Sequence, residues 1–461
     1  MSDNNKKLAP GEARCHGRPY ADLLENETRE IPHVIATDQY KYLGDEDLPV
    51  ERYIGKEFFE REVDKMWSRV WQMACREEDI PNVGDHIVYE IFDWSFIVVR
   101  SAENTIKAFY NSCLHRGRKL KTSNGSGRAI TCPFHGFSWN IDGTIKGYPC
   151  EWDFPHLENA DLTLPEVKLD TWAGFVFINI DDDCQPLADY LAPLTDFYDR
   201  WRLEECVKVV HVVKTVRANW KITAEAFMES YHAKQTHAQI LPFSADTNAR
   251  YDILGKHTNL SITPMAEPSP HLYDAGNMPS EQEVLDTLLS DSGRVTGDRL
   301  MVPEGQTARS FMAEMSRKTF AEEDGNDYSD ATDAEMLDAM VFNVFPNFSP
   351  WGGFPANVIY RWRPNGWDVD STIMEVMILK RSPKDGPRPA PCTTNYLSED
   401  QNWGDAPELD ALGPIFDQDM NNLPHVQQGM KASRKGAVTL ANYQEVRVRH
   451  FHQTLDEYLD E

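Results

Sequence analysis

The chain is short of positive charge. Against 74 aspartates and glutamates it sets 46 lysines and arginines, a net charge of −28 over 461 residues. That deficit argues against nucleic acid and anionic membrane surfaces as partners, because both repel an acidic protein. No apolar run approaches the roughly 20 residues that a membrane span needs. The opening stretch MSDNNKKLAPGEARCHG lacks the apolar centre of a secretory signal. Eight cysteines, at 15, 75, 113, 132, 150, 184, 206 and 392, are too scattered for a secreted disulfide framework. A reducing cytoplasm is the expected compartment. Also missing are internal repeats, low-complexity segments, a Gly-x-Gly-x-x-Gly nucleotide loop and a plant-type ferredoxin cysteine run. The length predicts two or three domains, and 41% hydrophobic residues suffice for a large core.

What is present is concentrated in two stretches. Residues 111–143 read NSCLHRGRKLKTSNGSGRAITCPFHGFSWNIDG. One arm carries Cys113 and His115, the other Cys132 and His135, with the turn cluster 122–127 and Asp142-Gly143 letting the chain double back. A finger-type zinc site groups cysteines in one arm and histidines in the other. A Rieske [2Fe–2S] cluster instead needs two thiolates on one iron and two imidazoles on the other, which two arms of one Cys and one His supply. Cys150 lies near the second arm and is not counted as a ligand.

The second stretch is Asn219-Trp220-Lys221 through Glu225, Glu229 and His232 to His237. Glu229 and His232, three apart, are expected on one helix face. His232 and His237, five apart, would sit about 140° apart on an ideal helix, so the helix is expected to end, kink or widen near Lys234-Gln235. Two histidines with a distant carboxylate form the facial triad of non-haem Fe(II) oxygenases.

Along the rest of the chain, residues 1–45 read as a loosely ordered polar arm able to wrap a neighbouring subunit. A helix is expected over Lys56–Trp71, strands over 82–110, 172–180, 207–220, 257–264 and 358–380, and helices near Glu281–Leu289 and Thr332–Met340. The acidic run 322–335 reads as a surface loop. A helix over Tyr443–Leu459 carries an apolar stripe, with His450 and His452 read as surface or interface histidines rather than ligands. A boundary at Asp181-Asp182-Asp183 divides the chain into 1–45, 46–182 and 183–461. Aromatic-rich stretches at Phe227-Met228, Leu241-Pro242-Phe243 and 342–354 are pocket candidates, and Arg361 and Arg363 read as strand residues facing solvent or a salt bridge.

Cys-x-His-Arg-Gly, then Cys-Pro-x-His-Gly, resembles the Rieske domain of ring-hydroxylating oxygenase alpha subunits, with Phe137 where that family often has Trp. Asn-Trp-Lys…Glu-x-x-x-Glu-x-Tyr-His-x-x-x-x-His resembles its catalytic motif, with Ala226 where Asn is common. The resemblance implies an α+β chain: a small all-β Rieske domain, and a helix-grip, START-like catalytic domain of antiparallel sheet flanked by helices. Cys113, His115, Cys132 and His135 would hold the [2Fe–2S] cluster. His232, His237 and a carboxylate in Phe416-Asp417-Gln418-Asp419 would hold mononuclear Fe(II). The match points to Asp419, with Asp417 as competitor, since on a strand both face one side. Glu229 would bridge to His135 of another subunit, which makes the chain an oligomer, expected as a homotrimer with or without a beta subunit.

The implied activity is that of a terminal oxygenase taking O2 and electrons relayed from NAD(P)H by a reductase, directly or through a ferredoxin. Arg116, Arg118, Lys119 and Lys121 make a positive patch beside the first arm that would dock an acidic donor. The expected substrate is a neutral, apolar, aromatic or polycyclic molecule, cis-dihydroxylated in aromatic hydrocarbon catabolism. The alternatives are monohydroxylation, oxidative O- or N-demethylation, a Rieske electron-transfer protein with no oxygenase site, and a zinc module.

Overall fold

A computed structural model describes residues 8–274, 276–291, 299–355 and 357–461. Two compact units emerge. One comprises Arg61–Tyr190 with the short piece Pro364–Asp368; the other comprises Met1–Glu60, Leu191–Arg363 and Val369–Glu461. Among the described residues no helix is long and apolar enough to cross a membrane.

The first unit is built from short antiparallel strands. Asp85–Ile91, Trp94–Ala102 and Thr105–Tyr110 form a meander that Gly125–Ser126 extends. Lys168–Trp172, Phe175–Asn179 and Gln72–Arg76 make a second sheet. The third, of Ile130–Thr131, Ser138–Trp139 and Ile145–Gly147, carries the second Cys/His arm on its first hairpin. Alternation in HIVYEIF puts Ile87, Tyr89 and Ile91 inside. Ile97, Val99, Phe109, Leu120, Ile130, Phe137 and Trp139 share one core with Cys113 and Cys132, so the ligand arms grow directly out of packed apolar side chains.

In the second unit an eight-stranded sheet runs in the order 250–253, 258–263, 339–344, 348–352, 357–365, 368–381, 206–216, 395–397. The last strand joins parallel to Cys206–Val216. One face meets the helix Leu194–Trp201, whose Phe197, Tyr198 and Trp201 rings lie 5.0–6.2 Å from Phe342. The other face is crossed by the helix Val446–Asp460, where Phe451 packs on Trp220 and Phe345. This is the α+β, helix-over-sheet arrangement expected.

Several expectations are corrected. The N-terminal arm is not loose from residue 8 on (its first seven residues lie outside the described ones). Gln39 N–H donates to Asp252, the Arg14 guanidinium stacks 3.8 Å from the Tyr443 ring centroid, and Tyr20 donates to Asp338. His450 and His452 are buried, because the last helix is gripped by the sheet and not displayed. The acidic run is half interior: Glu335 is fully buried and accepts hydrogen bonds from Arg200 and Trp201. The 275–340 region contains a 17-residue helix, Ala308–Asp324, capped by Thr307 and ended by Gly325 at φ +76°, which its polar composition hid. Residues 339–344 are a strand rather than a helix end.

A buried ion pair ties this region together. Arg309 is bidentate to Asp338 at 2.6 and 2.9 Å, and Asp338 also accepts from Tyr20. Removing one partner strands a buried charge at a cost of about 3–5 kcal/mol. Arg309→Leu is therefore expected to lower the unfolding free energy from urea titration by that amount; a loss under about 1 kcal/mol would contradict the assignment.

Candidate metal centres

The two Cys/His arms share one backbone scaffold. Gly117 N–H donates to Cys113 O at 2.8 Å, and Gly136 N–H to Cys132 O at 3.0 Å. Cys113 N–H donates to Arg118 O, and Cys132 N–H to Phe137 O. Each arm is thus one tight turn that a glycine four residues past the cysteine must close, at φ +71° and +80°, a region L-residues avoid. Within that common turn the histidine sits two residues on in one arm and three in the other. The result is two buried thiols at the base and two imidazoles toward the rim, His135 exposed and His115 half-buried.

The side chains suit a cluster. The His115 and His135 ring centroids lie 4.8 Å apart. Nδ1 of His115 is buried without a hydrogen-bond partner, an atom that a metal would satisfy. Burial pushes the Cys113 thiol up; at Cys132 the same desolvation is outweighed by the Phe134 and His135 backbone N–H groups, which pull the thiol down. Phe137 stacks on His115 at 4.7 Å and 11° and on Tyr148 at 4.8 Å, so the Trp-to-Phe change keeps a ring under the imidazole. Cys150 is exposed, and all eight cysteines are free. Of the basic patch, Lys119 is met by Glu90, Arg116 stacks near Phe134 at 5.5 Å, and Lys121 is half-buried.

In the second stretch the helix Trp220–Glu225 stops earlier than expected. Asn219 caps it by accepting from Lys221 N–H, and residues 226–232 are turns. Glu229 and His232 are therefore not on a helix face: they meet through a turn, with His232 Nδ1 2.5 Å from Glu229 Oε1 and His232 N–H donating to Oε2. A single helical turn, Ala233–Thr236, then leads to His237, where the backbone leaves helical geometry at φ −125°. That break swings His237 round to His232, and the ring centroids come to 5.2 Å.

The segment 412–420 is a helix, not a strand or a turn. Asp417 and Asp419 consequently point about 200° apart. Asp417 accepts the backbone N–H groups of Trp403 and Gly404. Asp419, buried, comes within 2.9 Å of His237 Nε2 and 3.6 Å of His232 Nε2. Ligand atoms of His232, His237 and Asp419 all lie within 4.8 Å of one another, a separation one ion can bridge.

Gln418, which sequence reading overlooked, accepts from His237 Nδ1 at 2.7 Å and is itself held by Gln239. Both imidazoles thus keep Nδ1 engaged and turn Nε2 to the centre, the usual way an outer partner fixes a ligand tautomer. Burial would lower the His232 pKa, but the bond to Glu229 outweighs it and raises the imidazole. Around the turn, Glu225 is half-buried against Tyr53 and His452, and desolvation pushes its carboxyl up to about 8. Glu445 rises to about 7 for the same reason.

A cluster of rings adjoins the helix that carries Asp419. Phe227 lies 4.8 Å from Tyr360, 5.4 Å from Trp362 and 6.1 Å from Phe416. Phe416 is one helical turn before Asp419 and also meets Trp403 at 5.5 Å. Of the other pocket candidates, Phe243 belongs to a separate core with Val284 and Leu285, and Phe342 packs on the far face of the sheet. Arg361 and Arg363 both pair with Glu375.

Comparison with known proteins matches residues 197–461 to the ring hydroxylating alpha subunit (catalytic domain) and residues 70–158 to the Rieske [2Fe-2S] domain. The chain is 30% identical over 198 residues to the carnitine monooxygenase oxygenase subunit of Escherichia coli K12, covering 41% of this chain and 52% of that one. It therefore spans about half the length of this curated relative. Its fold superimposes on a quaternary ammonium Rieske monooxygenase solved with L-carnitine, TM-score 0.62 at 17% identity over 89% of this chain and 95% of that one. It also superimposes on a naphthalene 1,2-dioxygenase variant bound to phenanthrene, TM-score 0.64 at 19% identity over 91% and 94%.

The geometry separates the two aspartates experimentally. Asp419→Ala is expected to lose one iron per chain by elemental analysis while the cluster absorbance persists. Asp417→Ala is expected to keep all its iron and lose stability, since two backbone donors go unpaired at about 1–3 kcal/mol each where buried. Equal iron loss in both variants would reverse the assignment.

Proposed function

The chain belongs to the ring-hydroxylating alpha-subunit family, and from that premise we propose that it is the terminal oxygenase of a Rieske system that monohydroxylates a quaternary ammonium compound. Residues 46–182 carry the cluster, on Cys113, His115, Cys132 and His135. Residues 183–461 carry the mononuclear iron, on His232, His237 and Asp419. When bound, the cluster supplies single electrons and the iron supplies O2 activation.

The observation that carries the substrate class is the ring wall of Phe227, Tyr360, Trp362, Phe416 and Trp403 beside the triad. Electron-rich faces attract a quaternary ammonium group with no hydrogen bond required, and Trp does so best. The relatives point the same way, since the matched curated subunit is named for carnitine. Hydroxylation consumes O2, two electrons and two protons per C–H bond and releases water. A hydroxyl placed on a carbon bonded to the ammonium nitrogen loses its proton as the C–N bond breaks toward nitrogen, giving a tertiary amine, an aldehyde and H+.

The chain's own residues orient the site. Glu229 and Gln418 hold the two imidazoles at Nδ1, and Asp417 anchors the helix that presents Asp419. Glu229 also offers a carboxylate to His135 of a neighbouring copy, which would join the two centres across a subunit boundary and makes a trimer the working assembly. NAD(P)H is oxidised by a separate reductase, with or without a ferredoxin, in the cytoplasm. A second reading, arene cis-dihydroxylation, is favoured by the flat, uncharged surfaces of the same rings.

Oxygen uptake decides between them. With a surrogate reductase, quaternary ammonium compounds are expected to drive O2 consumption with one 18O atom per product; uptake with arenes alone, giving two 18O atoms per diol, would overturn the proposal. Glu229→Gln is expected to keep three irons per chain yet lose coupled turnover by about 100-fold or more, the scale of a lost positioning contact. Normal turnover in that variant would remove Glu229 from the link and the trimer argument with it.

A further inference from the structure

The second unit holds a cavity of about 770 Å³ between the helix Ala308–Asp324 and one end of the sheet. Its floor is apolar: Met315, Phe320, Phe354 and Ile378 line it, and all four are half-buried. Ile378 marks the opening in the sheet. Its same-face neighbours on the strand Asp368–Arg381, Met374 and Val376, are fully buried, whereas Ile378 is not. Glu323, Lys380 and Asp410 are exposed and form the charged rim.

Three features tie this cavity to the mononuclear iron site. First, Arg361 and Arg363 both reach Glu375 on the adjacent strand, so odd-numbered residues of the two strands share one face and even-numbered residues the other. Ile378 and Lys380 therefore stand on the face of Tyr360 and Trp362, the rings that meet Phe227. Second, Met312, also in the lining, packs in one core with Phe243 and Ile240. The Ile240 N–H donates to the His237 carbonyl at 3.0 Å. Third, the Asp410 carbonyl accepts from Gly413 N–H at 3.3 Å, at the start of the helix that carries Phe416 and Asp419. Asp419 follows about 9 Å further along that axis.

We infer that this cavity takes an apolar tail of the substrate, so that the preferred substrates are ammonium compounds bearing an alkyl chain of several carbons rather than the smallest ones. The inference rests on the oxygenase reading above and deepens it. Pockets of about 300–1,000 Å³ hold drug-sized ligands, and a tetramethylammonium ion is far smaller than that. Met312 and Met315 suit a flexible chain, because unbranched thioether side chains adapt to irregular shapes. The ring wall takes the ammonium end. The competing role is a solvent-filled gap between helix and sheet, which predicts no dependence on chain length.

Calorimetric titration of the metal-loaded enzyme under anaerobic conditions, with tetramethylammonium, butyltrimethylammonium and octyltrimethylammonium, tests it without turnover. Full burial of one methylene raises affinity about fourfold. The octyl compound is expected to bind at least about tenfold more tightly than tetramethylammonium, with the butyl compound between them. Ile378→Trp, which fills the cavity, is expected to erase that gain while leaving tetramethylammonium affinity unchanged. A gain below about tenfold, or one that survives Ile378→Trp, would overturn the assignment. Should Ile378→Trp fail to fold, Thr319→Trp fills the cavity from an exposed lining position, and an undiminished gain there overturns it as well. Small ammonium compounds that drive O2 uptake and bind as tightly as the octyl compound sink this inference alone. Arenes that turn over while no ammonium compound binds sink the oxygenase reading together with it.

Discussion

Everything at the second centre depends on two hydrogen bonds that do not touch the centre. Glu229 holds His232 at Nδ1 and Gln418 holds His237 at Nδ1. An imidazole has two nitrogens, and only one can face inward with a free lone pair. With Nδ1 engaged on both rings, both Nε2 atoms converge on Asp419. The backbone serves the same end. The turns at 226–232 and the helix break at His237 exist because a continuous helix would carry the histidines apart.

The first centre reaches a comparable result by repetition. Two turns with the same hydrogen bonds, each closed by a left-handed glycine, bring two thiols and two imidazoles together. Their bases sit in one apolar core, so the thiols are buried while the His135 ring at the rim is exposed. Around the second centre, burial has a different effect. It lifts the Glu225 and Glu445 carboxyls and lowers the Arg447 guanidinium.

The parts legible from sequence were those whose chemistry is short-range. Cys113, His115, Cys132 and His135 lie within one doubled-back stretch, and their spacing and flanking glycines reflect a local turn. Strands such as Asp85–Ile91 and Phe175–Asn179 were readable because one or both faces are buried, which leaves a pattern of period two or an unbroken apolar run. The Ala308–Asp324 helix was not readable, since it buries arginine and serine as well as apolar residues and its stripe is faint. His450 and His452 misled for a related reason: a polar side chain in an amphipathic stretch reads as exposed, whereas here each is buried against a partner, Gly255 O or Tyr53.

By itself, then, the sequence singled out the candidate donors: two Cys/His arms, a His pair, and aspartates in Phe416-Asp417-Gln418-Asp419. Only the tertiary structure decided which aspartate meets the histidines, because that depends on whether 412–420 is strand or helix and on a contact 182 residues away in the chain. It alone showed Gln418 as the clamp on His237, and Arg447 fully buried with one donor unspent. The physical reason is range. Ligand type and turn geometry are written in adjacent residues, whereas the partner of a buried polar group is set by how helix and sheet pack, and no local pattern carries that information.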